Sequence, residues 1–315
     1  MERPPILGLH HVTATVDGAQ ADLDFCVNVL GLRLVKKTVN FDNHHVYHFY
    51  YGSERGSPGT IWTTFPYRGY GLPDGVKGAG QIVTTSFSVP VSSMNFWRRR
   101  LRAGGADVRD LETPFREPAI RVDDPSGLWF HLVGRDDDER EPWLGGGIPA
   151  NDAIRGLHGV TMVVRSREAT LALMTDVLGF RVLGESGPCT RIGVGGEGAG
   201  HTIDIVADPE APGAVNGTGT VHHVAVAITT ADAQRLLREE LVGRGLHVTG
   251  IRDRCYFQSI YFREPGGVLL EVATVEPGFT VDEDLASLGR GLKLPWWEER
   301  YRADIEARLP RVEYR

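Results

Sequence analysis

Residues 8–16 read GLHHVTATV, and residues 156–164 repeat them as GLHGVTMVV, 148 positions further on. Apolar and small polar residues alternate in both copies, which is the pattern of a half-buried β-strand. The match extends outward at the same offset, since VLGLRL at 29–34 answers VLGFRV at 177–182. A second pair lies between these copies. DPSGLWFH at 124–131 answers EPGGVLLE at 264–271, 140 positions on, and Leu101, Gly105 and Val108 meet Leu241, Gly245 and Val248 at that offset. The chain is therefore two halves, each of two related modules, near 6–70, 81–135, 155–207 and 220–275.

Each module repeats one plan. A first strand is followed by an amphipathic helix, marked by Leu23, Cys26, Val27 and Leu30, by Met94, Trp97 and Leu101, by Leu171, Met174 and Leu178, and by Leu236, Leu237 and Leu241. Asp17 and Ser166 are the expected N-caps of the first and third helices, and Gly31 and Gly179 their stops. Three further strands follow each helix. The expectation is an α+β fold of four βαβββ modules in two halves, whose mixed sheets are cupped around a site. The N-terminal half spans 6–135, a charged and then Gly/Pro-rich linker 136–153, the C-terminal half 154–275, and a C-terminal extension 276–315.

Composition narrows the function classes. Of 315 residues, 41% are apolar and 24% charged, as in an ordinary soluble globular protein. A net charge of −7 and the lack of a basic stripe argue against nucleic-acid binding, and Arg98-Arg99-Arg100 reads as a solvated helix face. No apolar run reaches the ~18 residues of a membrane span, and the N-terminus has no leader-like apolar segment, so the expected location is cytoplasmic. The three cysteines, Cys26, Cys189 and Cys255, are far apart and form no CxxC, which speaks against a disulfide framework or a zinc knuckle.

The chemistry-bearing residues fall on equivalent strands. His10-His11 and His222-His223 each open the first strand of a module. By strand parity, His10 shares a face with Val12, Ala14 and Val16, and His222 one with Val224, Val226 and Ile228, faces expected beneath the helices. His11 and His223 then point into the cup. Glu271, flanked by Leu270 and Val272, points the same way, and a carboxylate in an apolar strand is costly unless paired or metal-bound. Two imidazoles and one carboxylate make the facial triad that suits non-haem Fe(II), with Mn(II) an alternative for the same donors. The third module has Gly159 at the His11 place, and the second has Val83 and His131 at the His223 and Glu271 places, so only the first and fourth modules keep the set. The cluster Asn43-His-His-Val-Tyr-His48 leads into the strand 47–51, and the irregular spacing of His44, His45 and His48 favours surface or ligand-supporting roles over a second metal site.

The start GLHHVTA, the segment VLGLRLVKKTVNFD and the strand YFREPGGVLLEVAT together resemble the vicinal oxygen chelate superfamily, and within it the hydroquinone ring-cleaving dioxygenases of the 2,6-dichlorohydroquinone and chlorohydroquinone 1,2-dioxygenase type. The resemblance covers most of residues 6–305. It implies His11, His223 and Glu271 as metal ligands and assigns functional roles to Tyr261, Arg254, His10, Thr13 and His222. It further implies an aromatic diol and O2 as substrates, and a homo-oligomer. Three other readings share the fold: a catechol-type extradiol dioxygenase, a glyoxalase-type isomerase or lyase on Zn or Ni, and a metal-free binding module of the antibiotic-sequestering kind. Thr60–Pro66 offers no carboxylate as a fourth ligand, which counts against the isomerase, and three polar residues at matched cup positions count against the metal-free module.

Overall fold

The computed structural model describes residues 6–314. Met1–Pro5, part of the stretch inspected for a leader, and Arg315, the end of the extension, lie outside the described residues. The first module comprises β1 (Ile6–Val16), α1 (Ala19–Asp24), β2 (Arg33–Asn40), β3 (Asn43–Gly52) and β4 (Ile61–Pro66). The second comprises β5 (Gln81–Val89), α2 (Met94–Ala103), β6 (Val108–Glu112), β7 (Pro118–Asp123) and β8 (Trp129–Gly134). The third comprises β9 (Gly156–Val164), α3 (Glu168–Asp176), β10 (Arg181–Ser186), β11 (Cys189–Gly193) and β12 (Thr202–Ala207). The fourth comprises β13 (Thr220–Ile228), α4 (Ala231–Gly243), β14 (Arg252–Asp253), β15 (Gln258–Arg263) and β16 (Leu269–Thr274). The βαβββ plan thus holds four times.

The modules do not pair in chain order. One eight-stranded sheet runs β14-β15-β16-β13-β1-β4-β3-β2 and joins the first module to the fourth. The other runs β10-β11-β12-β9-β5-β8-β7-β6 and joins the second to the third. The seams are the antiparallel pairs β1–β13 and β5–β9. Each sheet buries its apolar parity under helices: Val12, Ala14 and Val16 of β1 join Leu23, Cys26 and Leu30 in the main core, and Leu237 and Leu241 serve the fourth module in the same way. Leu236, expected inward, is exposed instead. Capping also differs from expectation. Gly18 caps α1 while the Asp17 carboxylate accepts from Arg68, and the Ser166 hydroxyl bonds Glu168.

The extension is strapped across the sheet that joins the first and fourth modules. Lys36 of β2, fully buried, forms ion pairs with Asp282 and Glu283, and Arg33 donates to the Leu285 carbonyl at 2.5 Å. Phe279 and Leu288 of the strap join Tyr50, Phe257 and Ala225 in a small apolar cluster on the cup side. A last helix, α5 (Arg302–Arg308), buries Ile305. Among the described residues, no helix is long and apolar enough to cross a membrane.

Candidate metal centre

Strand register brings the candidate residues together. His11 of β1 stands opposite Ala225 of β13, which pairs with Glu271 of β16, which pairs with Tyr261 of β15. One row across four strands is therefore His11–Ala225–Glu271–Tyr261. In the adjacent row, His223 of β13 faces Thr13 of β1, and Thr13 faces Thr63 of β4. Side chains two apart on a strand share a face. Ala225 thus sits between the histidines and the glutamate with only a methyl group, and a larger side chain there would fill the space on which they converge.

His11, His223 and Glu271 are buried, and their ligand atoms lie within 4.8 Å of one another. His223 Nε2 is 2.8 Å and His11 Nε2 3.2 Å from Glu271 Oε2, and the two Nε2 atoms are 3.3 Å apart. Despite these approaches, Oε2 has no hydrogen-bond partner of acceptable geometry. The three atoms crowd around one buried point, with the carboxylate oxygen left without a donor. Glu271 Oε1 is held from behind by the Ser259 hydroxyl. Burial alone would raise the Glu271 pKa; positive charge at His11 and His223 pulls it well below the usual carboxylate range, the role a cation takes when both imidazoles are neutral. Two nitrogen lone pairs and a carboxylate oxygen crowded together out of water repel unless a cation lies among them. Two neutral nitrogens and one anionic oxygen are donors that fit a divalent non-haem metal.

The histidine pairs differ from the parity expectation. In β1, Leu9 pairs with Val226 and His11 with Ala225, leaving His10 as an extra residue. In β13, Thr13 pairs with His223 and Ala14 with Val221, leaving His222 extra. Both first histidines therefore occupy β-bulges, which break the alternation and re-aim a side chain. His10 and His222 do not lie beneath the helices. His10 Nδ1 is 2.9 Å from His11 Nδ1, and His222 Nδ1 is 2.8 Å from His223 Nδ1. The remaining His10 nitrogen bonds the Thr274 carbonyl, so its proton resides there and Nδ1 accepts from His11 Nδ1–H. That leaves His11 Nε2 as a lone-pair donor toward the common point. Burial first, and the neighbouring histidine second, push both His10 and His222 down to about 3, so both stay neutral. Residues that fix a ligand's tautomer from behind are worth ten- to a hundredfold in metal affinity. His10→Ala and His222→Ala are accordingly expected to weaken metal retention by about that factor with the fold intact, measured by chelator competition. Unchanged metal dissociation in both variants would remove the orienting role.

The cavity above the ligands is about 330 Å³. Tyr261, Arg254 and His222 line it, while Thr13 is fully buried in the sheet beside His223. Tyr261 Oη accepts from Arg254 Nε at 3.1 Å, and Arg254 Nη2 reaches Asp42 Oδ2 at 3.1 Å across the mouth. Burial and then the Glu271 charge raise the Tyr261 pKa, so its hydroxyl keeps its proton. Sequence analysis left the role of His48 open. Strand β3 begins at Asn43, not Tyr47, so His44 and His45 are strand residues along with His48. His44 bonds Glu298 at 2.7 Å, whereas His48 lines the cavity and bonds Thr63 Oγ1 at 2.9 Å. The detectable signal was parity: Tyr47, Phe49 and Tyr51 belong to the core, which turns His48 to the other face.

Among the described residues, the sheet that joins the second and third modules carries no equivalent ligand set. Its cavity, about 190 Å³, is lined by His131, His158, Glu117 and Arg191. At Gly159, the counterpart of His11, an added Cβ would lie 2.7 Å from Thr202 Oγ1 and 2.9 Å from its carbonyl oxygen, so β12 leaves no room for a side chain.

The profile of the Glyoxalase/Bleomycin resistance protein/Dioxygenase superfamily matches residues 156–272. MhqE of Bacillus subtilis (strain 168), provisionally named a ring-cleaving dioxygenase, is 42% identical over 305 residues, covering 97% of this chain and 99% of its own. The chlorohydroquinone/hydroquinone 1,2-dioxygenase of Sphingobium indicum is 37% identical over 91% of both chains. A crystal structure from Bacillus subtilis subsp. subtilis str. 168, provisionally titled a dioxygenase, superposes with a TM-score of 0.94 at 39% identity over 99% of both chains. Glyoxalase I of Zea mays shares the fold, with a TM-score of 0.62 at 13% identity over 85% of this chain and 92% of its own.

Proposed function

Because the chain belongs to the glyoxalase and dioxygenase superfamily and is a ring-cleaving dioxygenase within it, we propose that it opens a hydroquinone ring with O2 at a ferrous ion held by His11, His223 and Glu271. The observation that carries this reading is the unpaired, fully buried Glu271 Oε2 facing two imidazole nitrogens. Mn(II) satisfies the same donors. When bound, the ion places diol and O2 side by side and provides a path for electrons between them. The protein does the rest. Phe65, Phe257 and Leu269 give the cavity apolar walls for a flat ring, and the buried position of the triad limits water. Arg254 brings a positive charge toward an anionic diol or product. Tyr261 accepts from Arg254 and so keeps its own hydrogen free to donate to a developing oxyanion. Beside the triad, β4 presents Thr63 and Phe65 rather than a fourth ligand, which favours a site with open positions over a closed isomerase ring. The module boundaries given above, a cytoplasmic location and a homo-oligomeric assembly belong to the same proposal.

The decisive experiment is oxygen uptake by anaerobically Fe(II)-loaded protein, offered hydroquinone, chlorohydroquinone and catechol in parallel with iron quantified on the same sample. We expect uptake proportional to bound iron on a hydroquinone. Uptake on catechol alone would transfer the activity to the ortho-diols. Bound iron with no uptake on any of the three would overturn the proposal.

A further inference from the structure

We propose that His48 recognises the substrate hydroxyl farthest from the metal and so selects a para-diol over an ortho-diol. This rests on the ring-cleaving reading above. A chain of hydrogen bonds fixes the imidazole. The Thr63 hydroxyl donates to Thr13 Oγ1 at 2.8 Å, so it accepts at 2.9 Å from His48 Nε2–H. Nδ1 is then the lone-pair nitrogen, and it has no hydrogen-bond partner among the described residues. The ring packs between Tyr50 and Phe65, with centroids 4.0 and 4.3 Å away, which holds it against rotation. A fixed acceptor on a cavity wall favours a ligand that can donate to it.

Position supplies the regiochemistry. The ligands stand on β16, β13 and β1, and the sheet continues through β4 to β3. His48 is therefore two strands beyond His11. The pairs Thr13–Thr63 and Thr63–Tyr50 set it two residues past the His223 row along β3, and it lines the same cavity of about 330 Å³ as the three ligands. That cavity has room for one aromatic ring with one oxygen toward the ligands and the other toward His48. In catechol both oxygens lie at the metal end of the ring and none reaches His48. In hydroquinone the second oxygen lies across the ring, where Nδ1 can accept its proton.

The test compares anaerobic binding of hydroquinone and 4-methoxyphenol to metal-loaded protein. The two ligands differ in whether the distal oxygen can donate. We expect the wild-type protein to bind hydroquinone about tenfold more tightly. In His48→Phe, which keeps the stacking and loses the acceptor, the ratio should fall to near one with unchanged metal content. His48→Asn, whose amide oxygen can take the place of Nδ1, should restore part of it. Equal binding of both ligands by the wild type, or a preserved ratio in His48→Phe, overturns the inference. A His48 that only supports the sheet would shift both affinities alike, which also overturns it. Failure of the ring-cleaving reading registers elsewhere, as absent oxygen uptake by the iron-loaded wild type on every diol.

Discussion

Glu271→Ala, His11→Ala and His223→Ala are each expected to lose bound metal on gel filtration and to retain less than about a thousandth of the oxygen uptake. Loss of a metal's charge stabilisation removes several kcal/mol, and each 1.4 kcal/mol is a factor of ten. The three positions are not equivalent. Glu271 is the only anion in the donor set, so its removal leaves two neutral nitrogens and sacrifices the Coulomb attraction as well as one ligand. Glu271→Gln keeps the Ser259 contact and the shape but not the charge, and it should behave almost as the alanine variant does. A second readout does not depend on turnover. A metal that binds only the folded state stabilises it by about 2.7 kcal/mol at a hundred times its dissociation constant. Anaerobic addition of Fe(II) or Mn(II) should therefore raise the melting temperature of the wild type and leave that of the three variants unchanged. Near-normal metal content and rate in any one of them would remove that residue from the site, and with it the convergence of three strands on one ion.

How much of this was legible before the structure can be followed residue by residue. The repeat at 8–16 and 156–164 was sufficient to expect βαβββ four times, because the local pattern of each module is self-consistent. It could not say that the first module shares a sheet with the fourth, since near-identical repeats offer near-identical edges and pairing is decided by long-range packing. Parity correctly turned His11, His223 and Glu271 to one face. It failed at His10 and His222 because it assumes an unbroken pleat, and a bulge is set by the register of a partner strand some two hundred residues away. His48 lay inside the expected strand 47–51, but its irregular spacing from His44 and His45 grouped it with them, and the parity of Tyr47, Phe49 and Tyr51 that turns it to the cup went unused. The stripe 23, 26, 27, 30 reads as plain α-helix, whereas the chain widens into a π turn over Phe25–Val29 and leaves Val27 half-buried.

Tyr261→Phe should keep the metal and slow turnover by about a hundredfold or more, the range of a single proton donor. The ring already packs against His223 with centroids 5.7 Å apart, and phenylalanine preserves that contact. What disappears is one hydroxyl, held by Arg254 and prevented from ionising by burial and the Glu271 charge. The sign of the pH effect follows. A raised pKa means that the proton is present throughout the neutral range and is lost only above the ordinary tyrosine value, so Tyr261 produces no fall in rate between about pH 7 and 9. Arg254→Met should act differently, raising KM for the diol more than it lowers kcat, because its positive charge faces substrate in the ground state too. The two residues are coupled through the 3.1 Å contact between Nε and Oη, so the double variant should lose less than the product of the two single losses. Strict multiplicativity would mean that the arginine does not prepare the tyrosine for donation, and an unchanged kcat in Tyr261→Phe would mean that the proton comes from elsewhere in the cavity, where the buried imidazoles are the remaining candidates.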